Sequence, residues 1–348
     1  MKIAVVGGDG TGPEVVAEAQ KALDAAAGRF ALDVGYVPMD LGGSRYLRTG
    51  DVLTDEDLAQ LKSVDAILLG AIGHPDVAPG ILERGILLRI RFEMNQYVNV
   101  RPIKLYPGVT SPVAGLSADD VDMVVVRENS EGLYAGSGSL EEEGTPDEVA
   151  IQESVNTRRG VERCVRYAFE LAQTRPRRQL TMLGKTNVLT YASGLWERVT
   201  NEVAADHPDV KTDYAHVDAA ALWLIEDPGR YDVIVTDNMF GDIITDLGAA
   251  IQGGLGVAVG GNINPEGVSM FEPIGGTAPG FEGTGQINPL AAIGAAAMLL
   301  RTVGETEAGE TVEEAVAEVA GSLPSLRAGE MGITTSEVGD RVAELVGG

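Results

Sequence analysis

The sequence predicts an α/β protein built on a largely parallel β-sheet. Short, fully apolar runs recur along the chain with helical patterns between them, which is typical of strands that helices cover on both faces. The N-terminal segment also has the pattern of a strand, a turn and a helix in succession. There the apolar run 2–7 leads into a glycine-rich turn, and a helical pattern extends from Glu14 to Ala27. Pro13 favours a first helical turn at this point.

The same alternation continues towards the C-terminus. An amphipathic segment that begins at Thr54 precedes the strand predicted at 66–69. Strands are predicted at 66–69, 123–126, 180–183 and 233–236, and helices at 289–303 and 312–320. The polar stretch 135–152 is interrupted by glycines, and we expect it to form an exposed hairpin or arm. Because no linker rich in proline, glycine or serine marks a boundary, two lobes would not be consecutive in sequence.

Composition argues against several classes of partner. The 348 residues include 52 acidic and 26 basic side chains, a net charge of −26 that repels polyphosphate backbones and acidic membrane surfaces. We therefore expect no nucleic-acid or membrane partner. The single cysteine, Cys164, cannot form an intramolecular disulfide, and we expect it to be buried. The N-terminus has the pattern of a strand rather than a signal peptide, so a cytoplasmic protein is expected.

The glycine-rich turn after the first strand does not match a dinucleotide-binding fingerprint. Its glycines at 8, 10 and 12 depart from the G-x-G-x-x-G spacing, and the next candidate strand, 32–37, lacks a clear acidic residue at its end. We expect a structural turn here rather than a Rossmann cofactor site.

Several arginines follow or lie near apolar runs. They are Arg89 and Arg91 in LLRIRF, Arg101 in NVRP and Arg127 in VVVREN. Arginine presents a planar fork of donors that suits carboxylates, and a small substrate with two carboxylates needs several such forks. In so acidic a chain, internal salt bridges are the alternative for each arginine taken alone.

The strongest signal is a pair of aspartates four residues apart. Asp242 and Asp246 follow the apolar run 233–236 and fall near a predicted helix start, where residues i and i+4 share one face. Two carboxylates on one face repel each other unless a cation lies between them, and Mg²⁺ or Mn²⁺ prefers oxygen ligands of this kind. Asp218 is a candidate third ligand. The alternative is that these acids simply favour the positive end of the helix dipole.

Lys185 directly follows another apolar run. A lysine at the carboxyl end of a strand can be desolvated enough to act as a base, although a solvated surface lysine is the common case. The three histidines, at 74, 207 and 216, show no metal-ligand spacing, and we interpret them as structural.

Together these motifs resemble one family along nearly the whole chain. GDGTGPEV, ILLRIRF, NVRP, VVVRENSEGLYAG, GKTNVL, HVDAAA, TDNMFGDIITDL, MFEPIGGTAPG and INPLAAI occur in the order seen in the β-decarboxylating dehydrogenases. That family includes the 3-isopropylmalate, isocitrate, homoisocitrate and tartrate dehydrogenases. The resemblance implies an isopropylmalate/isocitrate dehydrogenase-like α/β fold with a large mixed sheet, two lobes and a non-Rossmann cofactor site. One lobe would combine 1–99 with 252–348 and bind the cofactor, and 100–251 would bind substrate and form a homodimer.

The resemblance also implies roles for individual residues. Tyr134 and Lys185 would transfer protons, and a metal would be held by Asp218, Asp242 and Asp246. The expected substrate-binding residues are Leu87, Leu88, Arg91, Arg101, Arg127, Asn187 and Val188. The expected cofactor-binding residues are Thr11, Glu272, Gly275, Gly276, Thr277, Ala278, Pro279, Gly280 and Asn288. Lys185 and Asp218 would reach across from the second subunit, so that the homodimer shares its active sites.

The implied reaction is the metal-dependent oxidative decarboxylation of a small 2-hydroxy diacid, with NAD and with Mg²⁺ or Mn²⁺. The expected substrate is 3-isopropylmalate, in leucine biosynthesis. Tartrate, homoisocitrate, isocitrate or a secondary-metabolite precursor are alternatives, as is a regulatory homologue without activity. Two glycines depart from the family pattern: Gly275 stands where a histidine is usual, and Gly280 stands where NAD-dependent members have an aspartate for the ribose. NAD is expected, with NADP as the alternative.

Overall fold

The structure, a computed structural model, describes residues 1–348. It has the α/β architecture that the sequence predicts, with a mixed sheet of ten strands and a separate two-stranded hairpin. The strands are β1 (Lys2–Gly8), β2 (Gly35–Pro38), β3 (Ala66–Ala71), β4 (Val98–Lys104), β5 (Asp122–Glu128), β6 (Gly138–Glu141), β7 (Val149–Gln152), β8 (Gln179–Gly184), β9 (Lys211–His216), β10 (Val233–Thr236), β11 (Val259–Ile263) and β12 (Ser269–Pro273).

The α-helices follow most of these strands. They are α1 (Gly12–Phe30), α2 (Gly43–Thr49), α3 (Asp55–Leu61), α4 (Arg89–Glu93), α5 (Arg158–Thr174), α6 (Ala192–Ala204), α7 (Val217–Glu226), α8 (Asn238–Ile251), α9 (Leu290–Thr302), α10 (Thr306–Ser322) and α11 (Thr335–Gly347). A π-helical turn, Glu83–Leu88, leads directly into α4. None of the helices combines the length and the apolar character that crossing a membrane requires.

The chain folds into two compact units whose segments alternate in sequence. Unit 1 consists of Met1–Gln96, Arg101–Val121 and Ala249–Gly348, and unit 2 consists of Tyr97–Val100 and Asp122–Gly248. The segment 101–121 lies in unit 1. The cofactor-binding and substrate-binding lobes that the resemblance implies stay a prediction.

The sheet of unit 1 runs in the order β2-β1-β3-β12-β11. The first four strands are parallel neighbours, and β11 pairs antiparallel with β12, which makes the sheet mixed rather than parallel throughout. Every residue of β3 is buried. Helix α9 is buried at each position from Leu290 to Leu300 because it packs against β12, α1 and α10.

The turn between β1 and α1 packs closely against its neighbours. Gly8 has φ 75°, and a Cβ there would lie 1.8 Å from the carbonyl oxygen of Ala71 on the neighbouring strand. The buried Asp9 carboxylate accepts backbone N–H groups from Gly43 at 2.8 Å, Ser44 at 3.2 Å and Gly73 at 3.0 Å. This one side chain therefore connects the turn to the start of α2 and to the segment after β3.

The sheet of unit 2 runs in the order β5-β10-β8-β9, and all of these pairs are parallel. The carboxyl ends of parallel strands lie at one edge of a sheet, where ligands of α/β proteins commonly bind. Arg127 is at the end of β5, Asn238 follows β10, Lys185 follows β8, and Asp218 follows β9. Three functional candidates from distant parts of the sequence, Arg127, Lys185 and Asp218, thus come to the same edge, together with Asn238.

Most predicted elements are present with longer bounds. The helix predicted over 14–27 extends over Gly12–Phe30, and the one predicted over 312–320 begins earlier, at Thr306. The segment 135–152 contains a two-stranded antiparallel hairpin, β6–β7, with every strand residue exposed. The candidate strand 32–37 is observed at Gly35–Pro38, so it begins three residues later and ends one residue later. Cys164 is buried, as expected, and burial raises the pKa of its thiol.

Candidate active site

The centre of the candidate site is the Arg127 guanidinium at the end of β5. Its side chain is only 3% exposed. The Asn238 Oδ1 atom accepts hydrogen bonds from Arg127 Nε at 3.0 Å and Nη2 at 2.7 Å, and Nη1 pairs with Asp242 Oδ1. The Asn238 amide nitrogen donates to the carbonyl of Glu131 at 3.2 Å, which turns its oxygen towards the arginine. The guanidinium is therefore held in one orientation from two sides.

Gly241 in helix α8 leaves room for this arginine. A Cβ at position 241 would lie 2.5 Å from Arg127 Cγ and 2.7 Å from its Cβ. Such distances are shorter than van der Waals contact, so the arginine could not lie along the helix if residue 241 had a side chain.

Tyr134 is positioned by a short 3₁₀ turn, Leu133–Ala135, that follows β5. Its hydroxyl donates a hydrogen bond to Asp242 Oδ2 at 3.0 Å, and its ring centroid lies 5.3 Å from the guanidinium carbon of Arg127. Burial raises the pKa of the Tyr134 hydroxyl, and the Asp242 carboxylate adds to the effect while Arg127 opposes it. The phenol therefore keeps its proton at neutral pH.

Asp242 and Asp246 lie on α8, as the spacing predicted, but not at its start. The helix begins at Asn238, and Asp237 Oδ1 accepts the N–H of Phe240 at 2.9 Å. Asp237 is therefore the acid at the positive end of the dipole, which weakens that alternative for Asp242 and Asp246. Burial raises the pKa of Asp237 to about 6. Asp242 is 42% exposed, and Asp246 is exposed as well.

Lys185 and Asp218 form a second group. Lys185 Nζ donates to Asp218 Oδ1 at 2.6 Å, and this hydrogen bond is the main reason why the pKa of Asp218 is lowered. The aspartate side chain is 66% exposed. One chain does not bring three acidic, histidine or cysteine side chains together in a way that could hold a metal ion. The three expected metal ligands are thus divided between the Arg127 group and the Lys185 pair.

The turn after Lys185 carries two further substrate candidates. Asn187 and Val188 are both exposed there.

In unit 1, Arg91 on α4 donates to Glu272 Oε1 at 3.4 Å, and the same oxygen accepts the Asn262 amide at 2.7 Å. Glu272, an expected cofactor residue, therefore contacts a substrate candidate. Arg101 lies on β4 and is largely buried. Arg89 donates to the carbonyl of Leu53 and to Asp55 at 2.6 Å, so this arginine makes the salt bridge that was its alternative interpretation.

The two leucines expected to line the substrate differ in their surroundings. Leu87 packs against the buried hydrophobic cluster of unit 1. Leu88 is half-buried and ends the π-helical turn three residues before Arg91. Both leucines are half-buried, and only Leu87 is among the side chains that pack against this cluster.

Unit 1 also contains a cavity of about 990 Å³. Four of the expected cofactor residues line it: Thr11, Gly275, Gly276 and Asn288. Glu272, Thr277, Ala278, Pro279 and Gly280 are not among its lining residues. The opposite wall consists of segments that sequence reasoning missed, 108–112, 253–256 and 323–328. Their only sequence signal is a run of glycine, proline and serine residues typical of loops.

The loop 275–280 is held against the first turn of unit 1. The carbonyl of Thr277 accepts the Thr11 N–H at 3.0 Å and its hydroxyl at 3.2 Å. The Asn288 side-chain amide donates a hydrogen bond to the backbone carbonyl of Leu326 at 3.0 Å. Its side-chain oxygen accepts the backbone N–H of Leu290. A Cβ at Gly280 would meet no atom within 4 Å, so this position faces open space.

Comparison with known proteins agrees with this geometry. A sequence profile described as isocitrate/isopropylmalate dehydrogenase matches residues 2–342. The 3-isopropylmalate dehydrogenase of Thermobifida fusca (strain YX) is 52% identical over 349 residues, covering 99% of this chain and 98% of the relative. The 3-isopropylmalate dehydrogenase of Corynebacterium efficiens is 54% identical over 350 residues, covering 99% of both chains.

Solved structures give the same result at the level of fold. The isocitrate dehydrogenase from Methylococcus capsulatus superposes with a TM-score of 0.89 at 33% identity, covering 100% of this chain and 99% of that one. The TT0538 protein from Thermus thermophilus has a TM-score of 0.88, also at 33% identity, covering 100% of this chain and 68% of its own. The chain is therefore a member of the isocitrate/isopropylmalate dehydrogenase family.

Proposed function

We propose that the protein catalyses the oxidative decarboxylation of 3-isopropylmalate in leucine biosynthesis, using NAD and a divalent metal ion. The observation that carries the proposal is the group formed by Arg127, Asp242 and Tyr134 at the carboxyl edge of the unit 2 sheet. It brings a guanidinium, a carboxylate and a phenol into contact, and these groups would serve as a fixed cation, a metal ligand and a proton donor. Full-length relatives at 52% and 54% identity carry the name of this activity.

The residues fit a divalent ion. Asp242 and Asp246 provide oxygen donors on an exposed part of α8, and Asp218 of a second copy would complete the set. When bound, the ion would polarise the 2-hydroxyl group and stabilise the negative charge that develops as CO₂ leaves. Arg127 is already oriented by Asn238, so its remaining donor capacity would bind a substrate carboxylate without reorganisation.

Two side chains would move protons. Lys185 would take the proton of the 2-hydroxyl at Nζ, with Asp218 Oδ1 as its hydrogen-bond partner. Tyr134 keeps its proton because burial raises the pKa of the phenol. Its hydroxyl would therefore donate this proton to C3 after decarboxylation, which gives the 2-oxo acid. The hydride that leaves C2 requires an acceptor, and this is the chemistry that NAD would supply.

The cavity of unit 1 supports a dinucleotide site. Its volume of about 990 Å³ is at the upper end of the usual range for small-molecule sites, and Thr11, Gly275, Gly276 and Asn288 lie in its wall. We propose NAD because the chain carries a net charge of −26, which disfavours the additional 2′-phosphate of NADP. Gly280 offers no group to the ribose hydroxyls, so discrimination between the two should be weak.

A homodimer would complete the site. Large apolar side chains are exposed on α7, at Leu222 and Ile225, and on α8, at Met239 and Ile243. On α8 they are four residues apart and interleave with the two aspartates. A second copy that covered this apolar surface would bury it and would bring its Lys185–Asp218 pair towards Asp242 and Asp246.

The experiment is a substrate panel. The purified protein is assayed with 3-isopropylmalate, isocitrate, homoisocitrate and tartrate, each with NAD or NADP in Mn²⁺ and again in excess chelator. We expect kcat/KM for 3-isopropylmalate to exceed that for isocitrate by at least about tenfold, with NAD preferred and with activity lost in chelator. A higher kcat/KM for any of the other three acids would assign a different substrate, and full activity in chelator would exclude the metal.

A further inference from the structure

Lys185 and Asp218 each follow the end of a strand, and the two strands are neighbours. β8 ends at Gly184 and β9 ends at His216, and these two residues are partners in the parallel register. The distance between Lys185 and Asp218 therefore depends on how the chain leaves the two strand ends. Both side chains are partly exposed, so side-chain packing alone does not fix the distance between Lys185 and Asp218.

The Tyr214 hydroxyl connects the two strand ends. It accepts the backbone N–H of Thr186 at 3.2 Å and shares a hydrogen bond with Thr186 Oγ1 at 3.0 Å. It also lies 3.0 Å from His216 Nδ1, and the two rings meet edge to face with centroids 5.3 Å apart. Thr186 is the residue after Lys185, and His216 is two residues before Asp218. One oxygen atom thus contacts both segments that carry the pair.

A second contact restrains the Lys185 backbone from the other side. Its N–H donates to Ser193 Oγ at 3.1 Å, and Ser193 is buried in the first turn of α6. The Lys185 carbonyl also accepts the N–H groups of Val188 at 3.0 Å and Leu189 at 2.8 Å. With its backbone held in this way, the lysine loses fewer conformations when Nζ meets Asp218 at 2.6 Å. Of these restraints, only the Tyr214 hydroxyl also contacts the segment that carries Asp218, through His216.

We propose that Tyr214 is a positioning residue that sets the geometry of the Lys185–Asp218 pair. It acts through the hydroxyl contacts to Thr186 and His216 rather than by touching the substrate. The inference rests on the proposed function in one respect, namely that Lys185 moves the substrate proton. Misplacing a proton-transfer group by about 1 Å can cost up to two orders of magnitude in rate.

The primary test is Tyr214→Phe, which removes only the hydroxyl. We expect kcat for 3-isopropylmalate to fall about tenfold, while KM for NAD and the melting temperature stay near the wild-type values. The matched control is Tyr231→Phe in the same unit, because the buried Tyr231 hydroxyl has no hydrogen-bond partner. An unchanged kcat in Tyr214→Phe, or a loss of kcat that parallels a loss of melting temperature, would overturn the inference.

Thr186 provides a conservative pair. Thr186→Val removes the hydroxyl that contacts Tyr214 and should lower kcat severalfold, whereas Thr186→Ser keeps it and should restore most of the rate. A serine variant as slow as the valine variant would count against a role for this hydrogen bond.

A readout without substrate separates this inference from the proposed function. The rate at which acetic anhydride acylates Lys185, measured by mass spectrometry against the other lysines, reports how firmly Nζ is held by Asp218. We expect faster acylation in Tyr214→Phe and Thr186→Val and no change in Tyr231→Phe. If the wild type turned over no 3-alkylmalate, the proposed function would fail while this labelling pattern could still hold. Equal labelling of wild type and Tyr214→Phe would refute the positioning role itself.

Discussion

Gly241 has no side chain, and this leaves the space that the Arg127 side chain occupies in the candidate site. The arginine lies along α8 only because position 241 carries no Cβ, which would approach its Cγ to 2.5 Å. The motif NMFGD therefore requires a glycine at position 241 for a steric reason. The same motif supplies Asn238, which orients the guanidinium.

We expect Gly241→Ala to destabilise the fold by about 1–3 kcal/mol, the usual cost of overpacking, and to lower kcat/KM more than tenfold by displacing Arg127. The control is Gly28→Ala in α1, where an added Cβ meets nothing within 4 Å. That variant should be neutral or more stable by up to about 1 kcal/mol. Chemical denaturation and steady-state kinetics measure both effects, and equal behaviour of the two alanine variants would contradict the argument.

Asp237 makes stability depend on pH. Its pKa in the folded chain is about 6, raised by burial from the ordinary value of 3.8. A carboxyl with a raised folded pKa stabilises the fold fully below the unfolded pKa, and this contribution is lost as pH rises through the folded pKa. Between about pH 4 and pH 6 the wild type should therefore lose stability that a neutral side chain would keep.

Asp237→Asn retains the oxygen that accepts the Phe240 N–H but does not titrate. As pH rises from about 4 to 7, the free energy of unfolding of the variant should increase relative to that of the wild type by roughly 1–3 kcal/mol. Above about pH 7 the difference should stay constant. Denaturant unfolding at several pH values measures this. A difference that does not change with pH would show that the carboxyl is not perturbed.

Sequence reasoning named Arg127, Tyr134 and Asp242 as site residues, and the structure brings these three together. It did not identify Asn238 or Tyr214. Both make hydrogen bonds to residues that become neighbours only when the strands pair. Asn238, which follows β10, bonds to Arg127 on β5. Tyr214 on β9 bonds to Thr186, which follows β8. No spacing along the chain encodes such a contact.

The π-helical turn before α4 is the most informative feature among the secondary-structure elements. Leu82, Ile86, Ile90 and Met94 are all buried, at intervals of four residues. In a regular α-helix each step of four advances about 40° beyond a full turn, so three steps would move the last side chain about 120° away from the first. A wider π turn over Glu83–Leu88 absorbs this excess and keeps all four on one face.

A single deletion tests this interpretation. Deleting the exposed Arg84 would convert the π turn into an α turn and leave the following helix with its buried face unchanged, so the protein should fold with a modest loss of melting temperature. Deleting the exposed Glu197 in the regular helix α6 would instead rotate the next residues by about 100° and expose its buried valines. The melting temperatures of both variants are measured by circular dichroism. An equally large loss of melting temperature in the two would contradict the π-turn interpretation.

The strands and helices themselves were largely predictable, because apolar runs and helical periodicity are local. The π turn was not, although the four-residue spacing at 82, 86, 90 and 94 was visible in the sequence. Most single helices do not reveal a π turn until the burial of each side chain is known. The antiparallel pairing of β11 with β12 was also missed by the pattern, since strand direction depends on the path of the chain.

For the whole molecule, the proposed homodimer would use the exposed apolar surface of unit 2. We expect Ile243→Asp, at a side chain that is 54% exposed on α8, to yield monomers with little activity. Leu47→Asp in unit 1 is the control, because Leu47 is also exposed, at 50%. Light scattering coupled to gel filtration measures the mass of each. A dimeric and fully active Ile243→Asp variant would exclude this surface as the interface.

The lack of a linker and the family resemblance both predict two lobes that are not consecutive in sequence, and the two compact units likewise combine separate segments of the chain. The precise assignment of 101–121 and the second wall of the cavity were not predictable. Both depend on segments that are far apart in sequence, such as 108–112 and 323–328, which line the same cavity. Local composition identifies these segments only as loops.

The separation of the Lys185–Asp218 pair from the Arg127–Tyr134–Asp242 group has a genetic consequence. If each site takes one group from each copy, two inactive variants can complement each other. Lys185→Met and Tyr134→Phe, coexpressed or mixed under conditions that allow subunit exchange, would form hybrid dimers in which one site carries neither substitution. Random pairing would make half of the dimers hybrid and would restore about a quarter of the wild-type sites. Two loss-of-function alleles of this gene would then support growth together although neither does so alone.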